Sequence, residues 1–395
     1  MKVIEINATY GFASTGVIVK DIEKTLLDNG HECLVAYQFA QTPPEKGYKV
    51  GGKLGWKWHA FWTRFYGAQG YASRLATKKL NSWIKSQKPD IVHLHNLHSN
   101  YVNLKLLLKF LAKENVNTVL TLHDCWFFTG KCFHFVEDNC YKWQKECFNC
   151  PRKNKDAKSL FDRSRKVFND KKKAFACIKN LTVVGCSDWV KNLASKSLLG
   201  GARLERIYNG VETLVFSPDK RTKSNDKFTI LGDGNKWLSK TNLPIFQRVV
   251  SELTDDEQLT LYGLKKEHFD LIKNHKNVLG VPFEKNQQKM AQLFANADVF
   301  VNVTHADTLP TVNMESASSG TPVITFDSCG SPELVVDGVT GYVVKENDID
   351  GILTSIRQVK EGKISRQACR EYAIERFDKQ KNYLKYLELF SDILG

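Results

Sequence analysis

The segment Lys2-Val3-Ile4-Glu5-Ile6-Asn7, running on into Tyr10-Gly11-Phe12-Ala13-Ser14-Thr15-Gly16, decides how the rest of the chain is read. Its first half is rich in β-branched residues, as a buried strand requires. Its second half is built of small residues and leads to a helix starting near Val17, so the unit is strand, tight turn, helix. The same unit recurs. Further strands are expected at residues 33–37, 91–94, 118–122 and 181–184, with helical spacing in the gaps, as in Leu104, Leu107, Leu108 and Leu111. The pattern restarts near Ile207-Tyr208-Asn209-Gly210, and a second series follows at 228–231, 259–262, 299–303 and 322–326. Such alternation marks an α/β protein with parallel sheets. Residues 216–227, FSPDKRTKSNDK, are polar and turn-rich, which suits a linker.

Two α/β halves of similar size imply two Rossmann-like domains facing each other across a cleft, at residues 1–205 and 206–375, with a helical stretch at 376–395. Ligands of such sheets bind beyond the carboxyl ends of the strands, so functional residues should follow strands directly. Composition agrees with a folded chain: of 395 residues, 42% are hydrophobic and 25% charged. No apolar run reaches the roughly 20 residues of a membrane-spanning helix, and the start reads as a strand rather than a signal peptide. The ten cysteines are then expected to be cytosolic and reduced. The formal charge of +14 is unevenly placed. Residues 1–200 hold 32 basic against 16 acidic residues, whereas 201–395 hold 25 against 27.

Several strand ends carry chemistry. After the first strand, the small residues of Ser14-Thr15-Gly16 let backbone N–H groups approach an anion at a helix start, although many such turns are Gly-rich without binding anything. Strand 91–94 ends in His93-Leu94-His95-Asn96-Leu97-His98, and strand 118–122 in His123-Asp124. His123 is the stronger candidate because it lies directly at a strand end, as an acid/base or as a hydrogen-bond donor to a polyol. The most informative segment is Asp307-Thr308-Leu309-Pro310-Thr311-Val312-Asn313-Met314-Glu315, followed by Ser319-Gly320-Thr321-Pro322-Val323. A helix starting near Thr311 would offer free N–H groups to a phosphate. Glu315, one turn in, would accept the two vicinal hydroxyls of a ribose. A helix-capping acid beside a favourable dipole is the plainer alternative.

Two further features stand apart from the strand ends. Cys132, Cys140, Cys147 and Cys150 follow Cys125 with the spacing C-x7-C-x6-C-x2-C, and the close final pair is of the kind that grips tetrahedral zinc. A closed structural zinc site and a set of packed, reduced cysteines are the competing readings, and His134 could replace one ligand. Between Glu45 and Asp90 there are ten basic residues and no acid, interleaved with Trp56, Trp58, Phe61, Trp62, Phe65, Tyr66 and Tyr71. A basic helix with an aromatic face suits an anionic membrane surface. A core-facing helix with solvated lysines fits the same pattern, and nucleic acid is disfavoured because no recognition module is present.

Taken together, these segments resemble the retaining glycosyltransferases of family 4, which have the GT-B fold, over nearly the whole chain. The likeness is greatest to members that assemble capsular or exopolysaccharide units. The family's acid-x7-acid signature corresponds to Asp307 and Glu315, with Asp in place of the usual Glu at the first position. Ser14-Thr15-Gly16, PDIVHLHN (89–96), TLHD (121–124), NGVE (209–212) and GSPE (330–333) also match, and similar enzymes carry a comparable cysteine-bearing insert. The resemblance implies that Glu315 binds the ribose, that Asp307 lies near the donor sugar and that His123 contacts that sugar. It further implies that backbone groups of Leu309, Pro310, Thr311 and Val312 hold the sugar and diphosphate, with Thr15 and Gly16 approaching the diphosphate. No divalent metal would be needed for chemistry. Where the family places a basic pair, often within Arg-Lys-Gly, this chain reads Asn235-Lys236-Trp237-Leu238-Ser239-Lys240-Thr241, so Lys236 or Lys240 would cover the role.

The resemblance thus implies a two-domain hexosyltransferase using a UDP- or GDP-sugar and a lipid-linked glycan acceptor, cytoplasmic and peripheral on the inner face of the cell membrane. The first domain would hold the acceptor, and the last helix would cross back to it. The altered basic pair leaves one rival, a non-catalytic relative that binds membrane or glycan as a scaffold.

Overall fold

A computed structural model describes residues 1–223 and 226–395. The chain divides into two compact units, one of Met1–Tyr208 with Tyr383–Gly395, the other of Asn209–Asn382.

In the first unit seven strands form one sheet: β1 (Lys2–Tyr10), β2 (Glu32–Ala40), β3 (Gly47–Lys49), β4 (Ile91–Leu94), β5 (Asn117–Leu122), β6 (Leu181–Gly185) and β7 (Arg203–Arg206). Their order is β3-β2-β1-β4-β5-β6-β7, and every pairing is parallel. Central β1 pairs Val3 with Cys33 on one side and with Ile91 on the other. Helices on both faces leave β1 and β4 almost wholly buried, which is why Val3, Ile4, Ile6, Ile91, Val92 and Leu94 dominate them. Helix Ser14–Asp28 packs Ile18, Ile22 and Leu26 onto Val3, Ile91 and Val119, and helix Lys379–Leu394 adds Tyr383, Tyr386 and Phe390 to the same core. Each such side chain contributes about 1.5–3 kcal/mol by leaving water. Gly16 sits where that first helix crosses β1, and a Cβ there would come within 2.8 Å of the Thr9 hydroxyl.

The cysteine-bearing stretch after β5 is packed rather than loose. Trp126, Phe127, Phe128, Phe135 and Trp143 are all buried within it, and Arg152 ties it together through Glu137, Asp138 and Asp156.

The second unit repeats the plan with β8 (Phe228–Asp233), β9 (Glu257–Leu264), β10 (Val278–Pro282), β11 (Val299–Asn302), β12 (Val323–Phe326) and β13 (Gly341–Val344). Their order is β10-β9-β8-β11-β12-β13, again wholly parallel. Both sheets therefore have the doubly wound order, in which the chain reverses direction beside β1 and beside β8. These are Rossmann-like domains.

Residues 216–227, expected to be a linker, behave otherwise where described; Ser224 and Asn225 lie outside the described residues. Phe216 is buried, Arg221 donates to the Ala295 and Ala297 carbonyls, and Arg221 and Lys223 pair with Asp298. The segment is a strap on the second unit, polar because its cations cap carbonyls and meet a carboxylate. Among the described residues, no helix is long and apolar enough to cross a membrane.

Candidate functional site

In the first unit the ends of β1, β4 and β5 gather a buried polar network. Glu5 is fully buried, and its two carboxylate oxygens meet His93 Nδ1 at 3.0 Å and His95 Nε2 at 2.6 Å. His93 Nε2 lies 2.8 Å from Thr121 Oγ1, which is 3.0 Å from the Tyr386 hydroxyl. His95 Nδ1 lies 2.9 Å from His123 Nε2. Burial alone would keep Glu5 protonated, but the two histidines outweigh it and hold its pKa down at about 2. Burial, reinforced by neighbouring His93, lowers His95 to about 4, and burial with His95 lowers His123 well below the usual range. His123 Nδ1 is buried without a partner. Asp124 accepts from the Trp126 N–H at 2.8 Å and sits 2.9 Å from His98 Nε2; these contacts outweigh burial and lower its pKa.

Thr15 and Gly16 open the helix after β1. Asn7 Nδ2 reaches the Thr15 hydroxyl at 3.4 Å. What Gly16 admits in this unit is Thr9, through close packing of helix on strand.

In the second unit the polar groups again lie past the strand ends. Helix Thr311–Ser318 follows β11. Its carboxyl end is held by guanidinium groups, Arg366 donating to the Ser319 carbonyl and Arg370 to that of Ser318. Buried Asn313 accepts from Asn302 at 2.8 Å and so fixes the helix against β11. The N–H groups of Thr311 and Val312 have no acceptor among the described residues. The Leu309 N–H, expected to bind donor, is already taken by Asp307 Oδ1 at 3.0 Å. Pro310 has no N–H at all; it occupies the helix-capping position. Asp307 thus shapes the turn, its carbonyl accepting from Gly330 at 3.2 Å.

The Glu315 carboxyl has no hydrogen-bond or ion-pair partner among the described residues, and burial pushes its pKa up to about 7. Tyr262, on β9, is one residue that sequence reasoning missed, and Glu5 is another. The buried Tyr262 hydroxyl has no partner, and burial followed by the charges of Asp233 and Glu315 raises its pKa. Three more buried hydroxyls of this unit, Thr308 Oγ1, Ser319 Oγ and Ser331 Oγ, are also unpartnered. Each such group costs about 1–3 kcal/mol until something bonds to it.

Lys236 and Lys240 are exposed, and neither ammonium has a carboxylate partner among the described residues. The loop between them is held rigidly. Trp237 is buried and donates from Nε1 to the Val301 carbonyl at 3.0 Å. Asn242 donates to the Lys236 and Val303 carbonyls and stands 2.7 Å from His305 Nε2. Gly232 makes the fold-back possible, since a Cβ there would lie 2.2 Å from Trp237 Nε1.

Cys132, Cys140, Cys147 and Cys150 line one small pocket of about 20 Å³. Tetrahedral zinc with Zn–S bonds of about 2.3 Å needs sulfurs roughly 3.8 Å apart. Among the described residues, no three of these sulfurs lie within 4.8 Å of one another. Burial raises the thiol pKa values of Cys132, Cys147 and Cys150, Cys147 to about 11. The arrangement gathers the cysteines but does not fit a zinc ion.

Helix Lys53–Tyr66 is inverted. Its only buried residues are His59 and Thr63, while Leu54, Trp58, Phe61 and Phe65 are exposed, Leu54 by 83% and Trp58 by 60%. The rings of Trp58, Phe61 and Phe65 stack outside. Inside, His59 Nε2 accepts from the Gly70 and Ala72 N–H groups, which requires the neutral ring; burial duly lowers its pKa to about 4. The face bearing Trp58, Phe61 and Phe65 therefore does not pack into the core. Beside it lies a cavity of about 520 Å³ lined by Gln38, Trp56, Trp58, Trp62, Tyr71 and Tyr101 among others.

Comparison with known proteins places these observations. The family description "Glycosyltransferase Family 4" matches residues 15–214, and "Glycosyl transferases group 1" matches residues 240–376. WcaC of Escherichia coli K12, named as a colanic acid biosynthesis glycosyl transferase, is 28% identical over 277 residues, 66% of this chain and 65% of its own length. An uncharacterized 41.2 kDa protein in the cps region of Klebsiella pneumoniae is 22% identical over 313 residues, 78% of this chain and 80% of its own. Among solved structures, sucrose-phosphate synthase of Thermosynechococcus elongatus superposes with a TM-score of 0.68 at 13% identity, covering 100% of this chain and 99% of its own. Anabaena HepE in complex with UDP gives 0.67 at 14%, covering 99% and 100%. Two parallel-sheet Rossmann-like domains and these superpositions make the fold GT-B. With both halves matched in order, the chain belongs to the family 4 glycosyltransferases.

Proposed function

We propose that this chain is a retaining glycosyltransferase that moves a hexosyl group from a UDP- or GDP-sugar to a hydroxyl of a lipid-linked glycan, in the assembly of a capsular or other surface polysaccharide. The observation that carries the reading is Glu315, a desolvated carboxylate without a partner, four residues past the free N–H of Thr311. A ribose diol supplies the two donors that this carboxylate lacks. The Thr311 and Val312 N–H groups and the Lys236 and Lys240 ammonium groups take the diphosphate charge. As the bond from the sugar's anomeric carbon to the diphosphate breaks and that to the acceptor oxygen forms, the acceptor's proton passes to the departing phosphate. The chain's part is electrostatic, holding charge on the leaving group with backbone dipoles and lysines rather than with a divalent ion. His123 would contact the donor sugar. Anabaena HepE, which shares the fold, is seen with UDP and with UDP-glucose.

The first unit would take the acceptor and rest on the cytoplasmic face of the membrane. Supporting this are the exposed aromatic side of helix Lys53–Tyr66, the basic run around it and the adjoining aromatic cavity. Replacing Glu315 by Ala should abolish sugar transfer with folding retained. Activity within about threefold of wild type would refute the assigned role.

A further inference from the structure

The network around Glu5 leaves little freedom in where its protons lie. An ionised carboxylate only accepts, so both facing ring nitrogens, His93 Nδ1 and His95 Nε2, must carry hydrogen. His95 is fully buried and is held neutral by burial. With its hydrogen on Nε2, its Nδ1 is a bare lone pair. The 2.9 Å contact to His123 Nε2 is a hydrogen bond only if His123 supplies the proton. The remaining nitrogen, His123 Nδ1, then has no hydrogen, and it is the atom left without a partner. We propose that Glu5, acting through His95, fixes the proton of His123 on Nε2 and presents its Nδ1 as an obligate hydrogen-bond acceptor for a hydroxyl of the bound ligand.

Glu5 and His95 are therefore positioning residues, and His123 is the group that touches ligand. The consequence is a selection rule. A hydroxyl can donate to this nitrogen, whereas a fluorine or a carbonyl oxygen at the same place cannot. Identifying that hydroxyl as one of the donor sugar rests on the function proposed above; the proton placement does not.

The test uses the full chain labelled with ¹⁵N in its histidines, without ligand, at neutral pH. Long-range ¹H–¹⁵N spectra should show His123 protonated at Nε2, with a trans-hydrogen-bond N–N coupling to an unprotonated His95 Nδ1. A proton on His95 Nδ1 or on His123 Nδ1, or no coupling between them, would overturn the proposal. The wild-type spectrum decides this even if substituted proteins fail to fold. In folded Glu5→Gln, whose amide can donate to one ring, the His123 signals should shift toward the other tautomer. The donor KM should rise about fivefold, the loss of roughly one neutral hydrogen bond. Unchanged tautomers there would remove Glu5 from the scheme. Because the spectra contain no donor, their outcome is independent of whether the sugar-transfer reading stands.

Discussion

Replacing Glu315 by Gln should make the protein more stable and inactive at once. Burial moves this carboxyl from 4.5 to about 7. At about 1.4 kcal/mol per unit that is about 3 kcal/mol of penalty on the ionised form, and partial solvent contact brings it to roughly 1–3 kcal/mol. The direction follows from linkage. A folded-state pKa above the unfolded value means that the native state binds more protons between them, so stability is full below about pH 4.5 and falls as pH rises towards 7. Glutamine has the shape without the charge. The variant should therefore melt close to wild type near pH 4.5 and above it at pH 8, by roughly 3–10 °C for a unit of this size. Transfer should fall by at least about a hundredfold, since the ribose loses its charged acceptor. Thermal melts of both proteins at the two pH values, with a transfer assay at pH 8, measure both halves. A melting difference that is absent or equal at the two pH values would refute the desolvation argument. A stabilised variant that still transfers sugar would refute the role.

Other consequences follow from the same geometry. Nucleoside diphosphate affinity should rise with pH up to about 7 and then level, because the ribose is bound by the ionised form of Glu315; a pH-independent affinity contradicts this. Trp58→Glu with Phe61→Glu should leave the melting temperature unchanged, as both rings are exposed. The pair should sharply reduce co-sedimentation with anionic vesicles, each lost ring being worth about 1.5–3 kcal/mol. Unchanged co-sedimentation would count against membrane docking. Gly232→Ala forces a methyl into Trp237 and should destabilise the protein by about 1–3 kcal/mol in denaturant titration. Lys236→Ala with Lys240→Ala should weaken diphosphate binding about tenfold, or about 1.4 kcal/mol, in calorimetric titration.

The central strands were readable because both faces of a parallel sheet are buried, so β1, β4, β5 and β6 are almost wholly buried and dominated by Val, Ile and Leu. The edge strands were not. β3 and β7 are short and have no fully buried residue, so no apolar pattern betrays them. Residues 216–223 show the limit of composition. Arg221 looks like linker polarity, yet its guanidinium caps the Ala295 and Ala297 carbonyls. At the site, Glu315 and the helix start at Thr311 could be read from spacing, because one turn of helix fixes their relation. The Asp307 bond to Leu309 could not, since a carboxylate two residues back may serve turn or ligand alike. One signal was available and passed over. Glu5 is a charged residue inside an apolar strand, and an unpaired charge there would be too costly, so partners such as His93 and His95 had to exist. Cysteine spacing suggested a zinc site, but spacing says nothing of sulfur distances, and the four cysteines share a pocket without coming close enough to hold the ion.

The central claim is that helix Thr311–Ser318 and Glu315 form a nucleoside diphosphate site. Its most direct test is thermal stabilisation of wild type and Glu315→Ala by UDP, GDP and ADP. UDP or GDP should raise the melting temperature of wild type saturably, and Glu315→Ala should lose this response. Wild type left unmoved by all three nucleotides would contradict it.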